Sequence, residues 1–198
     1  MTYVTKTPPP VSKYDHEPIF ESAHQAMLFA FTFSAVQHGT AGAAERQIAL
    51  QARERYEKVM GHRSRGLKGL DGAAQAGMIK SRVLSQPALE QAAIIARFAR
   101  LTPAEQLQAC NHLFHYALAH DVVSVVIRSH PHALLQLVRR HFGLRVNVPA
   151  IAELEAVNIR TVWRWRHHVK RWCERLEDRA LLHAQSQLED GGVIPRRD

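Results

Sequence analysis

The sequence predicts an all-α protein, a multi-helix N-terminal part followed by a C-terminal helix-turn-helix. Three observations predict it. Apolar residues recur at helical spacing, as at Ile48, Ala52, Tyr56 and Val59, which puts them on one face of a 3.6-residue repeat. Helix-start signals punctuate the chain at Pro87 and Thr102-Pro103, because a first turn tolerates proline and a short polar side chain caps it. The stretch IAELEAVNIRTVWRWRHHVK, residues 151–170, sets a short helix, a tight turn and a second helix in direct succession.

Residues 1–17 are polar and proline-bearing, and read as a disordered arm. Segment 20–38 carries Phe20, Met27, Phe29, Phe31, Phe33 and Val36, and is expected to be the central helix of the first half. Its apolar run over 26–36 is shorter than the roughly 20 residues that cross a bilayer, so it reads as a buried helix. After a break at 39–43, residues 44–60 read as an amphipathic helix with Arg46, Arg53, Glu54, Glu57 and Lys58 mostly off the apolar face. The loop GHRSRGLKGLDG, 61–72, holds four glycines among basic residues. Its Arg63, Arg65 and Lys68 are candidates for secondary phosphate contacts, and a solvated connector is the alternative. The GxxxxGK[ST] order of a P-loop is absent.

Residues 73–84 form a helix of small residues. Gly77 inside it costs about 1 kcal/mol against alanine, which points to close packing on a neighbour. Pro87 opens a helix expected to run to Leu101, with Leu89, Ala93, Ile94 and Phe98 inward. Thr102 and Glu105 have the spacing of a capping box, and that helix is expected to reach about Ala119. The β-branched run VVSVVI at 122–127 suits a short strand, but helical patterns on both sides favour a continued or restarted helix. A helix over 131–142 follows, ended by Gly143. Residues 161–188 read as one long helix or as two in series, with Leu176, Leu181, Leu182 and Leu188 packing back or forming a dimer seam. The division expected is a helical, partner-contacting domain at 18–145, a helix-turn-helix unit with its C-terminal helix at 146–190, and a flexible tail at 191–198. The oligomeric state stays open.

Within 151–170, Ile151, Ala152 and Leu154 are expected on the buried side of the first helix, and residues 156–158 form the turn. Asn158 caps the second helix. Val162 and Trp165 point inward, and Ala152 and Ala156 are small where the helices approach. Glu155 stands where such units usually have an apolar residue, and Ala156 replaces a frequent turn glycine. A helix presented this way enters a DNA major groove with its N-terminal half on base edges. The candidate DNA contacts are Asn158, Ile159, Arg160, Thr161, Trp163, Arg164, His167, Lys170 and Arg171. Arg160, Arg164, Arg166, Lys170, Arg171 and Arg175 have only Glu174 as a local acid, where a scaffold helix would interleave signs. The alternative is a plain helix–loop–helix with solvated arginines.

The chain as a whole agrees in sign. Its 198 residues carry a net charge of +8 and a pI near 10.0, which suits double-stranded DNA, since neutralised phosphates release counterions. A membrane surface is the weaker partner. Thirteen histidines add positive charge as pH falls through about 6.5.

Other chemistries lack their residues. Two cysteines, Cys110 and Cys173, with no CxxC pair, make neither a disulfide scaffold nor a zinc site and suit a reducing cytoplasm. The N-terminus has no apolar signal core. His112 and His115 share a helix face, but further ligands would have to come from His130, His132 or His141. There is no HExxH, no GxSxG and no nucleotide cradle, and Asp121, Glu153 and Glu155 form no carboxylate cluster. No catalytic residue, metal or cofactor is expected, and the chain reads as non-enzymatic.

The run FESAHQAMLFAFTFSAVQHG, then GLKGLDGAAQAGMI, then the C-terminal helix-turn-helix, resemble a group of small phage and prophage DNA-binding proteins of proteobacteria. That group is similar in layout to the lambda-type Q antitermination proteins: a helical N-terminal part, a basic loop with GL-x-G, a central insertion and a late helix-turn-helix. The resemblance covers about 20–188. It implies a late-gene regulator in the cytoplasm of a bacterial host, one that binds DNA near a promoter, joins paused RNA polymerase through its helical N-terminal half and overrides terminators. Asn158, Arg160, Thr161, Trp163 and Arg164 would then read DNA. Many relatives carry a cysteine-rich zinc knuckle between the halves, whereas here 106–120 keeps only Cys110. A simple repressor or activator, or a basic helical module for RNA or protein, are the alternative readings.

Overall fold

A computed structural model of the protein describes residues 19–37 and 69–196. Among them the chain is all-α, with eight helices and no strand. These are α1 (Ala23–Gln37), α2 (Gly69–Val83), α3 (Ala88–Phe98), α4 (Pro103–Ala119), α5 (Val125–Arg128), α6 (Pro131–His141), α7 (Val148–Leu154) and α8 (Ile159–Asp190). The arm at 1–17, the helix expected at 44–60, and Arg63, Arg65 and Lys68 lie outside the described residues. The loop expected to end at Gly72 instead gives way to helix at Gly69.

The longest element is α8, 32 residues, about 48 Å at 1.5 Å per residue. It is the single long helix of the two arrangements its sequence allowed. Val162, Trp165, Val169, Trp172, Leu176, Ala180, Ala184 and Leu188 recur three or four apart and are all buried, so one face is apolar along the whole length. That face packs on α1, α2, α3, α6 and α7. One continuous core joins it to Phe20, Met27, Ile79, Ile94, Leu113, Leu134 and Phe142. Leu176 and Leu188 pack back into that core, whereas Leu182 is exposed. Buried Gln106 adds a polar tie, its amide donating to Ala96 O at 2.9 Å and Phe142 O at 3.0 Å, which joins the ends of α3 and α6 through α4.

Several local expectations are corrected. The α3 helix ends at Phe98, short of Leu101. Thr102 is the N-cap of α4 but accepts no bond from a helix N–H; its hydroxyl lies 2.9 Å from Glu105 Oε2 and 3.3 Å from Ala99 O, so its one proton is turned toward the acid, with the preceding turn as the weaker acceptor. Gly77 is exposed, with open space where a Cβ would stand, so no close helix approach explains it. Leu154 is 68% exposed, because α7 is short and ends there. The β-branched run, by contrast, is a restarted helix as expected, the single-turn α5 after a turn, and not a strand. Beyond α8, Val193 and Ile194 are buried and Val193 O accepts from Phe20 N, so the tail read as flexible is anchored there.

Three helices end the same way. In α6, α7 and α8 the terminal turn closes through paired bonds to the carbonyls two and three residues before the cap, such as Val157 N–H to Ala152 O at 3.0 Å and Ala156 N–H to Glu153 O at 3.2 Å. Each needs a residue with positive φ. Gly143 (89°) and Gly192 (66°) supply it for α6 and α8, but for α7 the residue is Ala156, at 51°. An L side chain in that region costs about 1–2 kcal/mol, more than the roughly 0.5–1 kcal/mol of extra chain entropy that glycine loses on folding. Ala156→Gly is therefore expected to raise stability by about 0.5–1 kcal/mol in a denaturant melt. A loss of stability would show that the alanine methyl is needed at this turn.

Candidate nucleic-acid interface

The α7–turn–α8 segment is fixed by contacts at both ends. Asn147 caps α7, accepting from Ala150 N, and Asn158 caps α8, its Oδ1 accepting from Arg160 N at 2.9 Å. Val148, Ile151 and Ala152 bury the inner side of α7. Glu155, which looked out of place in sequence, reaches the start of α6. Its Oε1 accepts from Ala133 N at 3.0 Å, one of the free donors of that helix, and its Oε2 lies 2.8 Å from His130 Nδ1. His130 in turn lies on Trp165, ring centroids 4.7 Å apart. A carboxylate at a helix N-terminus also complements the helix dipole. The turn is thus tied to α6 by Glu155, His130 and Trp165 together.

This anchoring sets which side of α8 faces out. Val162 and Trp165 are buried, at 0% and 5% exposure. Asn158, Ile159, Arg160, Trp163, Arg164, His167, Lys170 and Arg171 are exposed, and Thr161 is half-buried. The nine residues expected to contact DNA therefore lie together, on the N-terminal half of α8. The stripe is strongly basic. Its one local acid, Glu174, is 3.3 Å from Lys170 Nζ, and Arg160, Arg164 and Arg171 have no carboxylate partner among the described residues.

Two features of this surface were not legible from the chain. Trp163 is 42% exposed and has two guanidinium groups over its ring, Arg140 at 5.7 Å and Arg166 at 5.3 Å from the centroid. Arg140 belongs to α6, 23 positions earlier in the sequence, so no local spacing signals the contact. The second is a cavity of about 350 Å³ where His168, Arg171 and Arg175 of α8 meet residues 121–124. Asp121 there is paired to Arg128.

The rest of the chemistry is quiet. Among the described residues no group of three His, Cys, Asp or Glu side chains is placed to hold a metal ion. Burial pushes the Cys110 thiol up to about 11 against the pull of Arg139, and pushes Cys173 well above the ordinary value, with Glu177 adding to it. Neither offers a thiolate at neutral pH. Among the described residues no helix is long and apolar enough to cross a membrane. Comparison with protein-family models, with curated proteins and with solved structures finds no match.

Proposed function

We propose that the protein is a non-enzymatic, sequence-specific DNA-binding transcription regulator, with residues 147–171 acting as a helix-turn-helix and α8 as its recognition helix. One observation carries the reading: the outward side of the N-terminal half of α8 gathers Arg160, Arg164, His167, Lys170 and Arg171, while Val162 and Trp165 bury the opposite side. Such a face offers guanidinium forks to guanine edges and cations to phosphates. Asn158, Ile159, Thr161 and Trp163 complete the contact set near the start of the helix.

The finer reading is a phage or prophage late-gene antiterminator that acts on RNA polymerase in the bacterial cytoplasm. It rests on the resemblance in motif order. A terminator placed downstream of a responsive promoter tests it: read-through should rise when the protein is added, and unchanged read-through with promoter activity altered would leave a simple repressor or activator.

Duplex binding itself is tested by salt and by tryptophan emission. Six bases lie between 160 and 175 of α8. If about four to six phosphates are neutralised, log K should fall with log salt at a slope of about −4 to −5. Trp163 emission should change on binding, and the change should vanish in Trp163→Phe, because Trp165 and Trp172 are buried. A flat salt dependence with silent emission would remove α8 as the DNA face, and preference for single-stranded RNA would favour the module reading.

A further inference from the structure

A second recess lies beside the proposed DNA face and was not foreseen from the sequence. It is a cavity of about 220 Å³ between α3, α6 and α8, lined by Arg97, Arg140, His141, Arg166, Lys170 and Glu174 together with Leu137. Four full cations thus face one lining carboxylate. The cations differ in how they are held. Arg97 is gripped by Glu177, Nε to Oε2 at 2.9 Å, and Lys170 by Glu174 at 3.3 Å. Arg140 and Arg166 have no carboxylate partner among the described residues. Arg140 spends one N–H on Val146 O at 2.9 Å, and both guanidinium carbons lie over the Trp163 ring, 5.7 and 5.3 Å from its centroid. A cation–π contact engages the charge but uses no N–H, so donors remain for another acceptor.

Two uncompensated guanidinium groups in a walled recess focus positive potential there. The acceptor that best satisfies them is compact, carries more than one negative charge and presents several oxygens. We propose that this recess is a phosphate-binding pocket, with Arg140 and Arg166 as its principal donors and the paired Lys170 and Arg97 also lining it. The phosphate can come from a nucleic-acid backbone or from a free phosphorylated ligand. The first source rests on the DNA-binding reading, and the second does not. Either way occupancy is coupled to the DNA face through Trp163, which carries both donors.

The test uses the full chain, wild type and Arg166→Ala. Arg166 makes no hydrogen bond or ion pair that holds the fold together, so the variant should melt as wild type does. Inorganic pyrophosphate titrated at low salt should shift wild-type Trp163 emission, and Arg166→Ala should bind it roughly tenfold more weakly, the loss of one charge-assisted donor group. Arg166→Lys, which keeps the charge without the fork, should fall between. In parallel, the salt slope for a mixed-sequence duplex should become shallower by about 1 in Arg166→Ala if the phosphate is a backbone phosphate. Arg166-dependent pyrophosphate binding with an unchanged duplex slope supports the pocket and assigns it to a free ligand. The same pyrophosphate result with no duplex binding by wild type supports the pocket while sinking the DNA reading. Pyrophosphate affinity and duplex slope both indifferent to Arg166 would overturn the proposal.

Discussion

Glu177→Ala should unfold the protein more readily than any change on the exposed side of α8, lowering stability by about 3 kcal/mol. Glu177 is 9% exposed. It holds three helices together, accepting from Arg97 of α3 at both carboxylate oxygens, 2.9 Å at Oε2 and 2.8 Å at Oε1, and meeting His141 Nε2 of α6 at Oε1 as well. Without the carboxylate, Arg97 is left in a partly buried site with no carboxylate bonded to it, and His141 loses its partner. Arg97 keeps 29% of its side-chain exposure, so water relieves part of the cost and the figure stays at the low end for a broken buried pair. At about 2–4 °C per kcal/mol for a chain of this size, the midpoint should drop by roughly 6–12 °C. The double change Glu177→Leu with Arg97→Met should be milder than Glu177→Leu alone, because it removes the stranded charge as well. A double variant worse than the single would mean that Arg97 stabilises the fold by packing on Phe142 and not through Glu177.

The same group gives a pH dependence. Burial alone would raise the Glu177 carboxyl, but hydrogen bonds from His141 and Arg97, with the charge of Arg97, outweigh it and hold the group below its ordinary value of 4.5. A depressed carboxyl contributes stability that is present above its unfolded value and is lost as pH falls through the folded one. Wild type should therefore lose this contribution below about pH 4.5, and Glu177→Gln should show a shallower acid limb.

The second large effect falls on recognition. Arg160→Ala with Arg164→Ala should leave the fold intact, since both side chains are exposed, and should erase discrimination between duplexes. A bidentate arginine–guanine contact contributes about 1–3 kcal/mol, so two of them separate a preferred site from a random one by about 2–6 kcal/mol. Residual, salt-sensitive binding should survive through Lys170, Arg171 and Arg175. Discrimination retained in the double variant would place the reading residues elsewhere on the protein.

What the sequence made legible is what helical periodicity and local chemistry control. The inward Val162 and Trp165, the cap at Asn158 and the stop at Gly143 all follow from spacing or from a single residue's conformational range. Leu154 was misplaced because an apolar residue at the last position of a seven-residue helix has no further turn to bury it. Glu155 looked anomalous because its partners, His130 and Ala133, lie 25 and 22 residues away. Arg140 and Arg97 gave no signal for the same reason: they become part of a site only when α3 and α6 fold against α8. Tertiary juxtaposition of charges has no sequence period.

The central claim is that α8 reads duplex sequence. The most direct measurement is recovery of genomic fragments on wild type and on the Arg160→Ala/Arg164→Ala variant, followed by sequencing. The account predicts one enriched duplex site for wild type and none for the variant. Uniform, salt-sensitive recovery by both proteins would contradict it and leave a basic helical protein whose partner must be sought elsewhere.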